Sequence, residues 1–190
     1  MEMLNDKLIR EAIISIIKKE NKNHEYRIIN ELTICDGNAR VDIAVANGRL
    51  CGYEIKSDID TLERLPKQIE YYSTTFDKMT IVVGEKYNEK ILCNVPEWWG
   101  IKIAYLNRYG NVSVRNIRSA KINKNLDAHK ITQLLWKEEL QCLLKINEIK
   151  ITTNMSRLKL RDIASTAISL KEIKKFTLET IKYRENWRAV

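Results

Sequence analysis

The stretch Gly52-Tyr53-Glu54-Ile55-Lys56-Ser57 decides how this chain is read. It has the pattern of a β-strand, in which side chains two residues apart project to the same side of the sheet. Glu54 and Lys56 therefore stand together on one face, with Tyr53 and Ile55 on the other. A carboxylate beside an ammonium on an otherwise apolar strand points either to an ordinary cross-strand ion pair or to a site of chemistry.

The alternation continues upstream. In the run from Ala39 to Ala46 the apolar residues Val41, Ile43 and Val45 are odd-numbered, and Asp42 is even. Asn47-Gly48 is a strong hairpin signal between the two runs. Burying both apolar rows on one side requires odd positions to pair with odd. A two-residue loop would pair Ala46 with Arg49 and put Asp42 and Glu54 on opposite faces, because a slip of one residue flips every side chain. The apolar pattern therefore calls for a three-residue loop with Gly48 in the left-handed region, or for a bulge. Asp42, Glu54 and Lys56 then share one face.

Further out, helix and strand patterns follow one another. Leu4, Leu8, Ile9, Ala12, Ile13, Ile16 and Ile17 predict an amphipathic helix over residues 4–20. Tyr26 to Ile34 reads as a strand. Pro66 fits a helix only in its first turn, so the next helix runs from about Leu65 to Phe76, after a structured turn over 58–64. "MTIVVG" and "GIKIAYL" read as buried strands, residues 86–94 as a helix, and "NVSVRNI" as an edge strand. The αβββαβ order predicts an α/β layered core over residues 1–117. Residues 118–127 read as a polar linker. Residues 128–190 read as a basic α-helical domain: one helix over 128–147, then two more, the last opening with Ser169 and Glu172 at capping-box spacing.

With 190 residues the chain can bury one substantial core and carry an appendage. It has no apolar run long enough for a membrane span and no signal-peptide pattern, so a cytoplasmic protein without a membrane partner is expected. None of its four cysteines forms a C-x-x-C pair, which argues against a zinc cage. Met1 to Arg115 holds 17 basic and 17 acidic residues, whereas Asn116 to Val190 holds 16 and 8. This surplus predicts either a polyanion partner or a solvated Lys-rich surface. The last two helices carry Lys171, Lys174, Lys175, Lys182, Arg184 and Arg188, whose phosphate contacts would give salt-dependent, sequence-indifferent DNA binding. A homodimerisation or partner-docking bundle is the other use of such helices.

Carboxylates offer hard oxygen ligands, which suit Mg²⁺ or Mn²⁺. An ion held by Asp42, Glu54 and the Ile55 carbonyl would polarise a phosphate and acidify a bound water. Lys56 would orient or deprotonate that water. Arg40 and Arg64 flank this group and could grip phosphates, or instead pair with Asp58, Asp60 or Glu63. Gln68 and Tyr72 lie four apart on one helix face, where Tyr72 is either a DNA contact or a core residue.

Asp42, followed by Glu54-Ile55-Lys56 across a hairpin in this element order, resembles the PD-(D/E)XK nuclease superfamily with its restriction-endonuclease-like fold. Val41 stands where the motif proline would be. Gln68 to Tyr72 matches the Q-x₃-Y element of the RecB-like branch. "RVDIAV", "EIKSDIDTLERLPKQIEYY" and "PEWWG" resemble a family of small bacterial and phage-borne nuclease-like proteins. The resemblance implies phosphodiester hydrolysis in DNA, in repair, recombination or mobile-element conflict. It implies metal ligation by Asp42 and Glu54, Lys56 beside the attacking water, and Gln68 ordering the site. It also implies a third carboxylate, Glu11 by analogy with the resolvase-like branch, or Glu31 on the first strand. A catalytically silent DNA- or protein-binding module, an RNase and a structure-selective nuclease are the competing expectations.

Overall fold

The computed structural model describes residues 4–185; Arg188 and the last residues of the expected helical domain lie outside them. Helix α1 (Asp6–Glu20) opens on Asn5, whose side chain accepts from the Leu8 N–H at 3.1 Å. It buries Ile9, Ile13 and Ile17, a stripe at the spacing seen in the sequence. Strands β1 (Arg27–Ile34), β2 (Ala39–Ala46) and β3 (Leu50–Lys56) follow, then α2 (Leu65–Thr75), with Pro66 in its first turn, and β4 (Lys78–Gly84). The helix expected over 86–94 is reduced to an isolated turn and the short α3 (Ile91–Asn94). Strands β5 (Gly100–Leu106) and β6 (Val112–Arg118) complete one six-stranded sheet in the order β1-β2-β3-β4-β5-β6. The β3–β4 and β4–β5 pairs are parallel and the others antiparallel, so the expected edge strand β6 does lie at an edge.

Two layers of side chains sandwich this sheet. Under α1, Ile9, Ile13 and Ile17 pack on Ile43, Val45, Ile55 and Val82. On the other side Leu65 and Tyr72 of α2, and Phe76 just past its end, pack with Ala44, Ala46, Leu50, Met79, Ile81 and Trp99. The β2–β3 hairpin has the register that the apolar pattern requires: Ala46 pairs with Leu50 and Ile43 with Tyr53. Asn47, Gly48 and Arg49 form a three-residue loop, closed by the Asn47 N–H donating to the Arg49 carbonyl at 3.1 Å. Gly48 has φ +60°, open to glycine at little cost.

Val41 departs from the expectation. It packs in the α2 layer with Ala44 and Ala46, not with Ile43 and Val45. Strand β1 breaks phase at the same level, since Ile29 and Leu32, three apart, share that layer. The pairs Asn30↔Ile43 and Leu32↔Val41 place Glu31 across from Asp42. Glu31 has φ +54°, a conformation that costs a non-glycine residue roughly 1–2 kcal/mol. Both strands are thus kinked side by side at Glu31 and Asp42.

The helix expected over 128–147 is two helices, α4 (Ala128–Thr132) and α5 (Lys137–Ile146). Donors from distant sequence satisfy the carbonyls freed at the break. Arg157 donates to the carbonyls of Gln133 (2.9 Å) and Leu135 (3.1 Å), and Arg184 to that of Leu134 (2.9 Å). The Trp136 N–H is capped by Glu139 at 2.7 Å. Helices α6 (Arg157–Ala167) and α7 (Leu170–Tyr183) follow, and the Ser169–Glu172 capping box is formed. Leu135, Leu140, Leu143, Leu144, Leu160 and Ile173 build a core for this part.

It does not hang on a free tether. In the segment read as a linker, Asn123 is buried; its N–H donates to the Asp77 carbonyl at 2.9 Å, and its side chain to the carbonyls of Ser73 and Phe76 at 2.7 and 3.0 Å. Arg161 of α6 makes a two-pronged pair with Asp36, at 2.8 and 2.7 Å. Among the described residues no helix is long and apolar enough to cross a membrane. Replacing Gly48 by Ala is expected to lower the unfolding free energy by about 1 kcal/mol at unchanged urea m-value; no loss would mean that the loop does not need the left-handed conformation.

Candidate active site

Glu54 lies on a central strand and is only 2% exposed. A buried carboxylate persists only with its oxygens hydrogen-bonded. Lys56 Nζ donates to Oε1 at 2.7 Å, Gln68 Nε2 to the same oxygen at 2.6 Å, and the Tyr72 hydroxyl to Oε2 at 2.7 Å. Lys56 is itself 4% exposed. The strand alternation brings Lys56 to Glu54, and the four-residue spacing on α2 brings Gln68 and Tyr72 together. Burial, then the charge of Glu54, push the Tyr72 phenol well above its ordinary value, so it stays protonated. Tyr72 stacks on Trp99, with ring centroids 6.0 Å apart, and meets Phe76 edge-on at 5.8 Å.

Because a carboxylate only accepts, Gln68 must turn its amide nitrogen to Glu54. Its Oε1 is then buried without a protein partner. This is an unused acceptor beside the Glu54–Lys56 pair.

Asp42 sits differently from the expectation of a common face. Its Oδ2 accepts from the Ile55 N–H at 2.6 Å. Strand N–H groups lie in the plane of the sheet. The carboxylate therefore occupies the gap where β2 parts from β3, and the kink at Glu31 and Asp42 is the physical reason. Asp42 still feels Glu54: burial first, then the Glu54 charge, push its carboxyl up to about 7, against the Ile55 hydrogen bond and Arg10. Ile55 thus meets Asp42 through its N–H; its side chain packs under α1.

The residue that sequence reasoning missed is Arg10. Its guanidinium reaches the Asp42 carbonyl at 2.7 Å, Asp42 Oδ1 at 3.2 Å, Glu31 Oε1 at 2.8 Å and Asp6 Oδ1 at 3.1 Å. The one local signal was its place four residues after Asp6; nothing in the spacing tied it to the hairpin. Glu31 also accepts from Arg40 Nε at 2.8 Å, so Glu31 joins the group. Glu11 does not: it is exposed on α1, which presents Arg10 to the hairpin instead.

Tyr72, expected to contact DNA, is fully buried and cannot reach a polyanion; it holds Glu54 and lies 2.9 Å from the Arg40 carbonyl. Arg40 and Arg64 are exposed, the latter at the head of α2. Lys171, Lys174 and Lys175 stand at the turn end of the hairpin, the end opposite Asp42 and Glu54, and Lys174 is paired with Asp77. Among the described residues no three His, Cys, Asp or Glu side chains are grouped as a ready-made metal cage.

The Asp42 shift has a sign that can be tested. A carboxyl whose folded-state value is raised makes the fold less stable as pH rises from its ordinary value, 3.8, to about 7. In protein freed of divalent ions, Asp42→Asn keeps an acceptor for Ile55 and removes that decline. Chemical denaturation is expected to show the variant gaining on wild type by on the order of 2 kcal/mol between pH 5 and pH 8. An equal change in both proteins would contradict the assigned environment.

Comparison with known proteins places the chain. A solved structure of SfsA from Pyrococcus furiosus in complex with Ca²⁺ aligns with a TM-score of 0.40 and 17% identity, over 62% of this chain and 66% of that one. Protein cII of Enterobacteria phage P4 is 30% identical over 183 residues, which cover 96% of this chain and 69% of that protein. The family model for bacteriophage P4 protein cII matches residues 1–189, and this chain belongs to that family.

Proposed function

We propose that this protein is a Mg²⁺-dependent nuclease of the PD-(D/E)XK type that hydrolyses phosphodiester bonds in DNA. The observation that carries the reading is the buried Glu54–Lys56 pair at 2.7 Å, with Gln68 hydrogen-bonded to the same carboxylate oxygen and Asp42 close enough to be perturbed by its charge. A structural ion pair has no need of a second carboxylate alongside it. Two neighbouring carboxylates that repel one another suit a hard divalent cation.

Asp42 and Glu54 would hold that ion, with the Ile55 carbonyl and Glu31 as further oxygen donors. When bound, the ion supplies Lewis acidity to the phosphate and a more acidic water. Lys56 would place its side-chain nitrogen where negative charge develops on the phosphoryl oxygens. Gln68 Oε1 accepts a hydrogen bond from the attacking water and aims its lone pair. Tyr72 locks the Glu54 rotamer through its hydroxyl and its stacking on Trp99. Arg10 balances Glu31 and Asp42. Arg40 and Arg64, both exposed, would contact phosphates on either side of the scissile bond. DNA repair, recombination or conflict between mobile elements is the setting proposed with this chemistry.

One feature favours a second reading. Both Glu54 oxygens already accept from protein donors, as they would in a catalytically silent nuclease-fold module that binds DNA or a protein. Plasmid, single-stranded, flap, junction and RNA substrates with Mg²⁺ or Mn²⁺ separate the two. The nuclease reading expects DNA cleavage that stops with EDTA and falls at least about 100-fold in Lys56→Ala and Glu54→Gln. Folded wild-type protein that cuts none of these, and binds DNA as Lys56→Ala does, would establish the silent module. Preferential RNA cleavage would overturn the DNA assignment.

A further inference from the structure

A cleft of about 590 Å³ opens between α7 and the turn end of the β2–β3 hairpin. Its volume falls within the roughly 300–1,000 Å³ typical of small-molecule sites. We propose that it binds a small amphipathic anion, an acyl carboxylate in chemical class, with the apolar chain inside and the carboxylate at Lys171 and Lys175.

Two observations support this occupant. The walls are apolar: Leu50 from the hairpin, Leu134 from the α4–α5 break, and Leu170 and Leu178 from α7. At the rim, Lys171 and Lys175 are one helical turn apart on α7 and exposed, and among the described residues no acid pairs with either. The other charged groups of the cleft are already matched. Lys174 is paired with Asp77, whose second oxygen accepts from the Leu50 N–H at 2.9 Å, and Glu179 is paired with Lys182 at 3.0 Å. The unpaired charge at the cleft is therefore that of two ammonium groups.

A nucleic-acid strand would leave the apolar walls unmatched, because its surface toward protein is a row of charged phosphates. An acyl chain covers those walls, and its carboxylate matches the rim. This inference does not rest on the nuclease reading, because the cleft and the carboxylates lie at opposite ends of the hairpin.

Titrating the full chain with decanoate, by calorimetry and by amide NMR, tests it. Saturable one-to-one binding is expected, with shifted resonances confined to α7, residues 48–50 and the α4–α5 break. Decanol, of the same length without the charge, and the double variant Lys171→Glu/Lys175→Glu with decanoate, are each expected to bind at least about tenfold more weakly. Absence of saturable binding by the wild type would overturn the proposal, as would equal binding of decanol, equal binding of decanoate by the double variant, or shifts elsewhere on the protein.

Discussion

The fold of the candidate site depends on keeping a charged carboxylate inside the protein. Glu54 is on a central strand, walled by α2, where an ion without partners would be expelled or neutralised. Three donors prevent this: an ammonium, an amide and a phenol. Each is delivered by a different regularity. The two-residue repeat of a strand brings Lys56, the first turns of α2 bring Gln68, and one further turn brings Tyr72. Tyr72 in turn is held by Trp99 and Phe76, so the packing of the core and the polarity of the site are one arrangement. Losing any donor would leave a buried charge short of a partner, a costlier defect than losing an apolar contact of the same size.

Around this fixed carboxylate the other charges are arranged at a kink. Glu31 and Asp42 lie side by side where β1 and β2 change phase, and Arg10 bridges them from α1. A regular strand would have placed Asp42 on a face of the sheet. The kink instead lets its carboxylate take the Ile55 N–H that a neighbouring strand would otherwise satisfy. The positive φ of Glu31 is tolerated by a non-glycine residue because its carboxylate is fixed by Arg10 and Arg40. The helical part is then clamped to turns flanking the same sheet, by Arg161 on Asp36 and Lys174 on Asp77.

The hairpin could be read from the amino acids because its determinants are local. The odd–odd apolar rows and Asn47-Gly48 together called for a three-residue loop with a left-handed glycine or for a bulge, and the loop is present. Glu54, Lys56, Gln68 and Tyr72 were legible for the same reason, each pair being set by the period of its own element. What could not be read depends on docking. Arg10 meets Asp42 only because α1 lies across the hairpin, and the same placement leaves Glu11 in solvent. The phase change at Val41 has no glycine or proline to announce it. The break between α4 and α5 is written in Arg157 and Arg184, far downstream of the leucine pattern that reads as one helix.

The central claim is that Asp42 and Glu54 share one divalent ion. Crystals grown with Mn²⁺ and measured near its absorption edge locate the ion directly. The account predicts an anomalous peak within about 2.5 Å of an oxygen of each carboxylate, with the Lys56 ammonium withdrawn from Glu54 Oε1. A map with no peak there, and Lys56, Gln68 and Tyr72 all still on Glu54, would contradict it.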